Sequence, residues 1–110
     1  LFCQIVAGEV PATIVLDNDS VVAFRDLNPM APLHVLVIPK RHIVAADHIT
    51  PDDGDVLAAM FQAAKEVAAK DGFDGSGYRT VFNVGRDSGQ SVPHLHLHVL
   101  GGRQMAWPPG

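Results

Sequence analysis

Three histidines stand at alternate positions in the run His94-Leu95-His96-Leu97-His98, and the residues between them are apolar. The chain holds six histidines, so half of its imidazoles fall within this run. Strict alternation reads as a β-strand with one buried face, the leucines pointing one way and the rings the other. At ~3.3 Å rise per residue, successive rings are roughly 6–7 Å apart. Rings this close disfavour one another's protonation, which keeps neutral imidazoles available near neutral pH. A neutral imidazole suits two chemistries, nucleophilic attack and metal ligation. From these residues alone both stay open, because a His-x-His pair on a strand with a third imidazole is also a zinc arrangement.

Directly upstream, Gly85-Arg86-Asp87-Ser88-Gly89-Gln90-Ser91 supplies two glycines, a cation and two hydroxyls. In isolation such a loop is a turn. Ahead of aligned imidazoles it becomes a candidate anion cradle, since glycines let backbone N–H groups approach an anion and hydroxyls bond phosphate oxygens. Neither a Walker A pattern nor GxGxxG is present. His34, on an apolar stretch, reads as a core histidine. Lys40-Arg41 reads as a solvated cap, and His42 and His48 as solvated side chains.

The elements that must position these groups are read from periodicity. A short helix is expected over 2–7, stopped by Gly8 and Pro11. β-branched runs at 14–17 and 21–24 flank Asn18-Asp19-Ser20 as a hairpin. Residues 33–38 form an apolar strand closed by Pro39. Thr50, Pro51 and Asp53 mark the start of one long helix through a capping box. Val56, Leu57, Met60, Phe61, Ala64, Val67 and Ala68 follow at helical spacing, and Gly72 lies past the end. Strands are expected over 78–83 and 94–100. With no regular βαβ alternation, this is an α+β domain.

At 110 residues the chain is read as one domain, and 47% hydrophobic with 18% charged residues is a globular composition. A net charge of −4 speaks against nucleic-acid polymers as partners. No apolar run approaches the ~18–20 residues of a membrane span, so no membrane partner is expected. No signal peptide is visible, and the single cysteine, Cys3, excludes an internal disulfide and suits a cytoplasmic setting.

The histidine run followed by Val99-Leu100 resembles the motif of the histidine triad (HIT) superfamily. The tail Gly101-Gly102-Arg103-Gln104-Met105-Ala106-Trp107-Pro108-Pro109-Gly110 resembles that of its HINT branch, the histidine triad nucleotide-binding proteins. Phe24-Arg25-Asp26-Leu27-Asn28-Pro29, Ala31-Pro32-Leu33-His34, Val37-Ile38-Pro39-Lys40 and Gly89-Gln90-Ser91-Val92 match in the same order along essentially the whole chain. The resemblance implies a HIT fold, with an antiparallel sheet of about five strands, one long and one short helix, paired as a homodimer. Residues 101–110 would then be a tail near the dimer partner's site.

It also implies a purine nucleoside phosphoramidase that cleaves the P–N bond of adenosine or guanosine 5′-phosphoramidates and binds the monophosphate. His96 matches the nucleophile, His98 the residue that helps bind phosphate, and His94 and His34 the supporting histidines. Asp26 matches the carboxylate for the ribose hydroxyls, and Phe2, Ile5, Phe24 and Leu27 the purine slot. Asn83, Gly89, Gln90 and Ser91 match residues around the phosphate and leaving group, Ser91 among the catalytic ones. Trp107 matches an aromatic that reaches the partner's site.

No cofactor is implied. Many bacterial relatives carry a Cys-x-x-Cys that binds structural zinc with two histidines, for which Cys3, His42 and His94 are the counterparts. One cysteine does not complete that set. Pro93 and Ala106 depart from the tyrosine and histidine common at those places, which touches leaving-group specificity. The alternatives are a dinucleoside polyphosphate hydrolase acting through the same His96, a regulatory nucleotide-binding module with vestigial catalysis, and a zinc enzyme.

Overall fold

Segments rich in valine and isoleucine form the centre of the sheet, because β-branched side chains fit a pleated surface covered on both sides. The computed structural model describes residues 1–110. Its five strands are β1 (Ile14–Asp17), β2 (Val21–Arg25), β3 (Leu33–Pro39), β4 (Tyr78–Val81) and β5 (Leu97–Gly101). They lie in the order β1-β2-β3-β5-β4 with every neighbouring pair antiparallel.

Each face of the sheet takes its cover from the parity of the strand residues. Val21, Ala23, Leu33, Val35, Val37, Leu97 and Val99 point to one side, where α2 (Gly54–Lys70) lays down Met60, Ala63, Ala64, Val67 and Ala68. Three alanines on that stripe let the helix approach closely, and each buried Val, Leu or Met contributes about 1.5–3 kcal/mol. The expected capping box forms at Thr50 and Asp53, although the first turn, Pro51–Asp53, is a 3-10 turn leading into the α-helix. Arg41 is exposed, as expected of a solvated cap, and its guanidinium also pairs with the buried carboxylate of Asp53.

The opposite face carries Val22, Phe24, Leu36 and Ile38, covered by Phe2 of α1 (Phe2–Val6). A five-residue helix without a side-chain cap does not persist alone. Burial of Phe2 docks it on the sheet. Strand parity places His34 and His98 on this face as well, with Leu36 directly opposite His98.

Two strands are shorter than the sequence predicts. The one expected over 78–83 ends at Val81, and the histidine strand begins at Leu97 rather than at residue 94. Pro93 has no N–H to give to a ladder. Residues 94–96 are instead held by single bonds, His94 N–H to Val92 O and Leu95 N–H to Ile43 O. Sidedness survives the loss of regular pairing. Leu95 joins the helix-facing core, while the His94 and His96 rings pack edge-on to Phe2 with centroids 5.9 and 5.1 Å away. No helix is long and apolar enough to cross a membrane.

Candidate active site

On the face away from α2 lies a cavity of about 370 Å³, a size suited to a small molecule. Phe2, Ile5, Phe24 and Leu36 give it an apolar wall, and Phe2 meets Phe24 edge-on at 5.6 Å. Asp26, Asn83, Gly89, Ser91, His96 and His98 line its polar end. Of the expected purine slot, Phe2, Ile5 and Phe24 stand together, while Leu27 sits fully exposed at the rim.

His96 is buried, and its Nδ1 lies 2.7 Å from the carbonyl oxygen of His94. A carbonyl only accepts, so Nδ1 carries the proton and Nε2 keeps a bare lone pair. That is the tautomer a nitrogen nucleophile needs.

His98 takes the opposite tautomer by a chain of contacts. The Met30 N–H donates to Nδ1 of His34 at 3.0 Å, so neutral His34 holds its proton on Nε2. That nitrogen lies 2.9 Å from Nδ1 of His98 and 3.4 Å from Oδ2 of Asp26, both acceptors. With Nδ1 accepting, His98 carries its proton on Nε2 and offers a donor to the cavity it lines. Burial, reinforced by the neighbouring imidazoles of His96 and His34, pushes the His98 pKa down to about 4. Burial likewise lowers His34, against the opposing pull of Asp26. Both rings are therefore neutral near pH 7. His34 is thus the satisfied buried histidine its strand implies, standing behind His98 and outside the cavity.

Asp26 serves a turn and the site at once: Oδ1 accepts the Asn28 N–H at 2.9 Å, while Oδ2 faces His34. Gln90 is placed differently from its neighbours Gly89 and Ser91. Its Oε1 accepts from Gly85 N–H at 2.9 Å, and its Nε2 donates to the carbonyls of Val44 and Val92 at 3.0 and 3.1 Å. The amide is spent on holding the loop, and Gln90 does not line the cavity. Trp107 is 82% exposed and away from this chain's own cavity. Leu36, Val92 and the segment Val10, Pro11 and Ala12 line the cavity without having been singled out. Leu36 was legible as the same-face neighbour of His34 on one strand, whereas nothing in the local sequence marks residues 10–12.

A second cluster forms beside the first. Cys3 Sγ lies 3.3 Å from Nδ1 of both His42 and His94, and the two Nδ1 atoms are 3.2 Å apart. His42, solvated by its local sequence but named with Cys3 and His94 by the family resemblance, is exposed and stands in this group. Tetrahedral zinc with Zn–N of ~2.0–2.1 Å and Zn–S of ~2.3 Å sets its ligand atoms about 3.3–3.6 Å apart. The three donors fit three corners of that figure. Nε2 of His94 lies 3.2 Å from the Pro39 carbonyl, which fixes its proton there and turns the Nδ1 lone pair to the cluster, the usual arrangement behind a ligating histidine. The expectation of no metal thus meets a donor set that fits one, and one cysteine still leaves the fourth corner open.

Residues 7–105 match the family described as HIT domain. A HIT family hydrolase of Legionella pneumophila Philadelphia 1 superposes with a TM-score of 0.98 at 51% identity, covering 100% of this chain and 98% of that one. A histidine triad nucleotide-binding protein of Candida albicans does so with a TM-score of 0.82 at 31% identity, covering 97% and 81%. A 14 kDa zinc-binding protein of Zea mays is 44% identical over 117 residues, spanning 100% of this chain and 87% of that protein. Matched in sequence and in backbone along almost its full length, the chain belongs to the HIT domain family.

Proposed function

We propose that the protein is a hydrolase of purine nucleoside 5′-phosphoramidates that works through a nucleotidyl-histidine on His96. The observation that supports this most is the pair of opposite tautomers in one cavity, a bare Nε2 on buried His96 beside an N–H on His98. The apolar wall receives the base, Asp26 the ribose hydroxyls, and the Gly89–Ser91 end the phosphate. Nε2 of His96 attacks the α-phosphorus as the P–N bond breaks. The bond's electron pair leaves with nitrogen, which takes one proton from solvent and departs as the amine. Nδ1 keeps its proton, so the intermediate is a phosphorylated imidazolium, a good leaving group. Water then attacks phosphorus, His96 leaves neutral, and one proton returns to solvent. Throughout, His98 Nε2–H holds a non-bridging oxygen, where positioning and charge stabilisation carry most of the catalysis.

Two further properties belong to this reading. Cys3, His42 and His94 would hold a zinc ion, which would act as a structural cross-link between α1 and the segments after β3 and before β5. The protein would act as a homodimer, for which the open edge of β4 and the exposed Phe61, Tyr78 and Trp107 offer surface.

The test is release of a fluorescent amine from an adenosine 5′-phosphoramidate by wild type and His96→Ala. Turnover that falls on the order of 10³-fold or more in the variant is expected. Adenosine monophosphate binding with equal, slow release in both proteins would instead make this a binding module.

A further inference from the structure

The tail after β5 contains residues that the catalytic reading leaves unused. Gly102 turns the chain at φ +87°, pressed against the loop between β2 and β3. A Cβ at this position would lie 2.8 Å from the Pro32 side chain and 3.0 Å from that of Phe73, so only glycine permits this approach. The turn delivers Arg103 to the same loop, where its Nε–H donates to the Met30 carbonyl at 2.9 Å. Met30 is the residue whose N–H donates to His34, and His34 in turn meets His98.

We propose that Arg103 is a positioning residue for the phosphate end of the site. By holding the Met30 backbone it fixes the tautomers of His34 and His98, and so aims an N–H at the bound anion. The role of that anion rests on the function proposed above.

The two neutral tautomers of an imidazole are close in energy, so its neighbours decide between them. Met30 is 57% exposed, in a loop whose inner turn is tied by Asp26 to Asn28. Nothing else in the chain's side chains bonds the Met30 backbone, apart from Arg103 on its carbonyl and His34 on its N–H. If the Met30 N–H swings away, Nδ1 of His34 is free to take the proton. Its Nε2 then becomes an acceptor, His98 must hold its proton on Nδ1, and the cavity presents a lone pair to a phosphate oxygen. Asp26 Oδ2, 3.4 Å from His34 Nε2, favours the native tautomer, so losing Arg103 weakens the arrangement without abolishing it.

The experiment compares wild type, Arg103→Ala and Arg103→Gln, with ring nitrogens followed by ¹⁵N NMR on histidine-labelled protein near pH 7.5. Glutamine places an N–H donor as many bonds from the backbone as the arginine Nε while removing the charge. In wild type, His34 and His98 are expected to be protonated on Nε2. Arg103→Ala is expected to shift both toward mixed tautomers and to lower kcat/KM for the phosphoramidate about tenfold, the size of one hydrogen bond to a charged group. Arg103→Gln is expected to restore both. Arginine at this position is exposed, and circular dichroism verifies that the variants are folded. Unchanged tautomers in Arg103→Ala overturn the proposal, even if activity falls, and so does a wild-type His98 protonated on Nδ1. Tautomers that shift as expected in a protein with no phosphoramidase activity would uphold the positioning role and reject the function instead.

Discussion

The carbonyl oxygen of His94 lies 2.7 Å from Nδ1 of His96, so one residue of the triad sets the protonation site of the next through its backbone. The bond forms because residues 94–96 lie outside the regular ladder, which leaves the His94 carbonyl facing a ring rather than a strand. Near pH 7.5, ¹⁵N spectra should show His96 protonated on Nδ1 and bare on Nε2. The reverse tautomer would leave no lone pair for attack on phosphorus.

Stability should depend on pH through His98. Its pKa is about 4 in the folded protein and near 6.5 in the unfolded chain, so between these values the unfolded state binds more protons. Stability is then full above about pH 6.5, falls as pH drops from there to about 4, and levels off below. His34 is lowered too and adds to the same slope. Urea denaturation across this window should give a shallower dependence for His98→Gln. An unaltered slope would place the titration elsewhere.

Zinc should bind the full chain at one site. Competition with a chromophoric chelator should show Cys3→Ser and His42→Ala each weakening it by at least about 100-fold, more than outer contacts of a metal site usually cost. Loading with zinc should also slow amide exchange across α1, whose only side-chain hydrogen bonds to the sheet and loops run from Cys3. Equal affinity in wild type and Cys3→Ser would remove the cluster as the site.

Gln90 should behave as a loop clamp. Its amide joins Gly85, Val44 and Val92, and Gln90→Ala leaves those groups to water or to nothing. The expected cost is about 1–3 kcal/mol of stability, with a raised KM. The loss should be alike for substrates with small and bulky amines. A ratio that changes with the amine would instead mean that Gln90 touches the leaving group.

How far the sequence reaches is clearest at the histidines. Alternation correctly put the leucines on one side and the imidazoles on the other, because side-chain parity is a local property of extended backbone. It did not show that the leucine side is the one under α2, nor that His94 and His96 are buried on the other. It could not say where pairing begins, since that depends on Pro93 and on the partner Ile43. The long helix was equally legible, from the Thr50 and Asp53 cap and the apolar stripe that ends near Lys70. The cavity was half legible: Phe24, Asp26 and His98 come from matched motifs and Phe2 from the purine slot the resemblance implies, while residues 10–12 carry no local signal.

By itself, then, the sequence determined the elements, the facing of their side chains and the grouping of the triad, all of which follow from short-range periodicity and capping. Tertiary structure decided the protonation pattern where the partner is far along the chain: the Pro39 carbonyl at His94 and the His34–His98 contact join positions 55 and 64 residues apart. The partners of His96 and His34, the His94 carbonyl and the Met30 N–H, are only two and four residues away, but the extended and turn geometry that aims them is set by the fold. It also joined Cys3 to His42 and His94, and Arg103 to Met30, across separations at which no spacing rule operates. An imidazole's chemistry is set by contacts of about 3 Å, and only the folded chain fixes which groups make them.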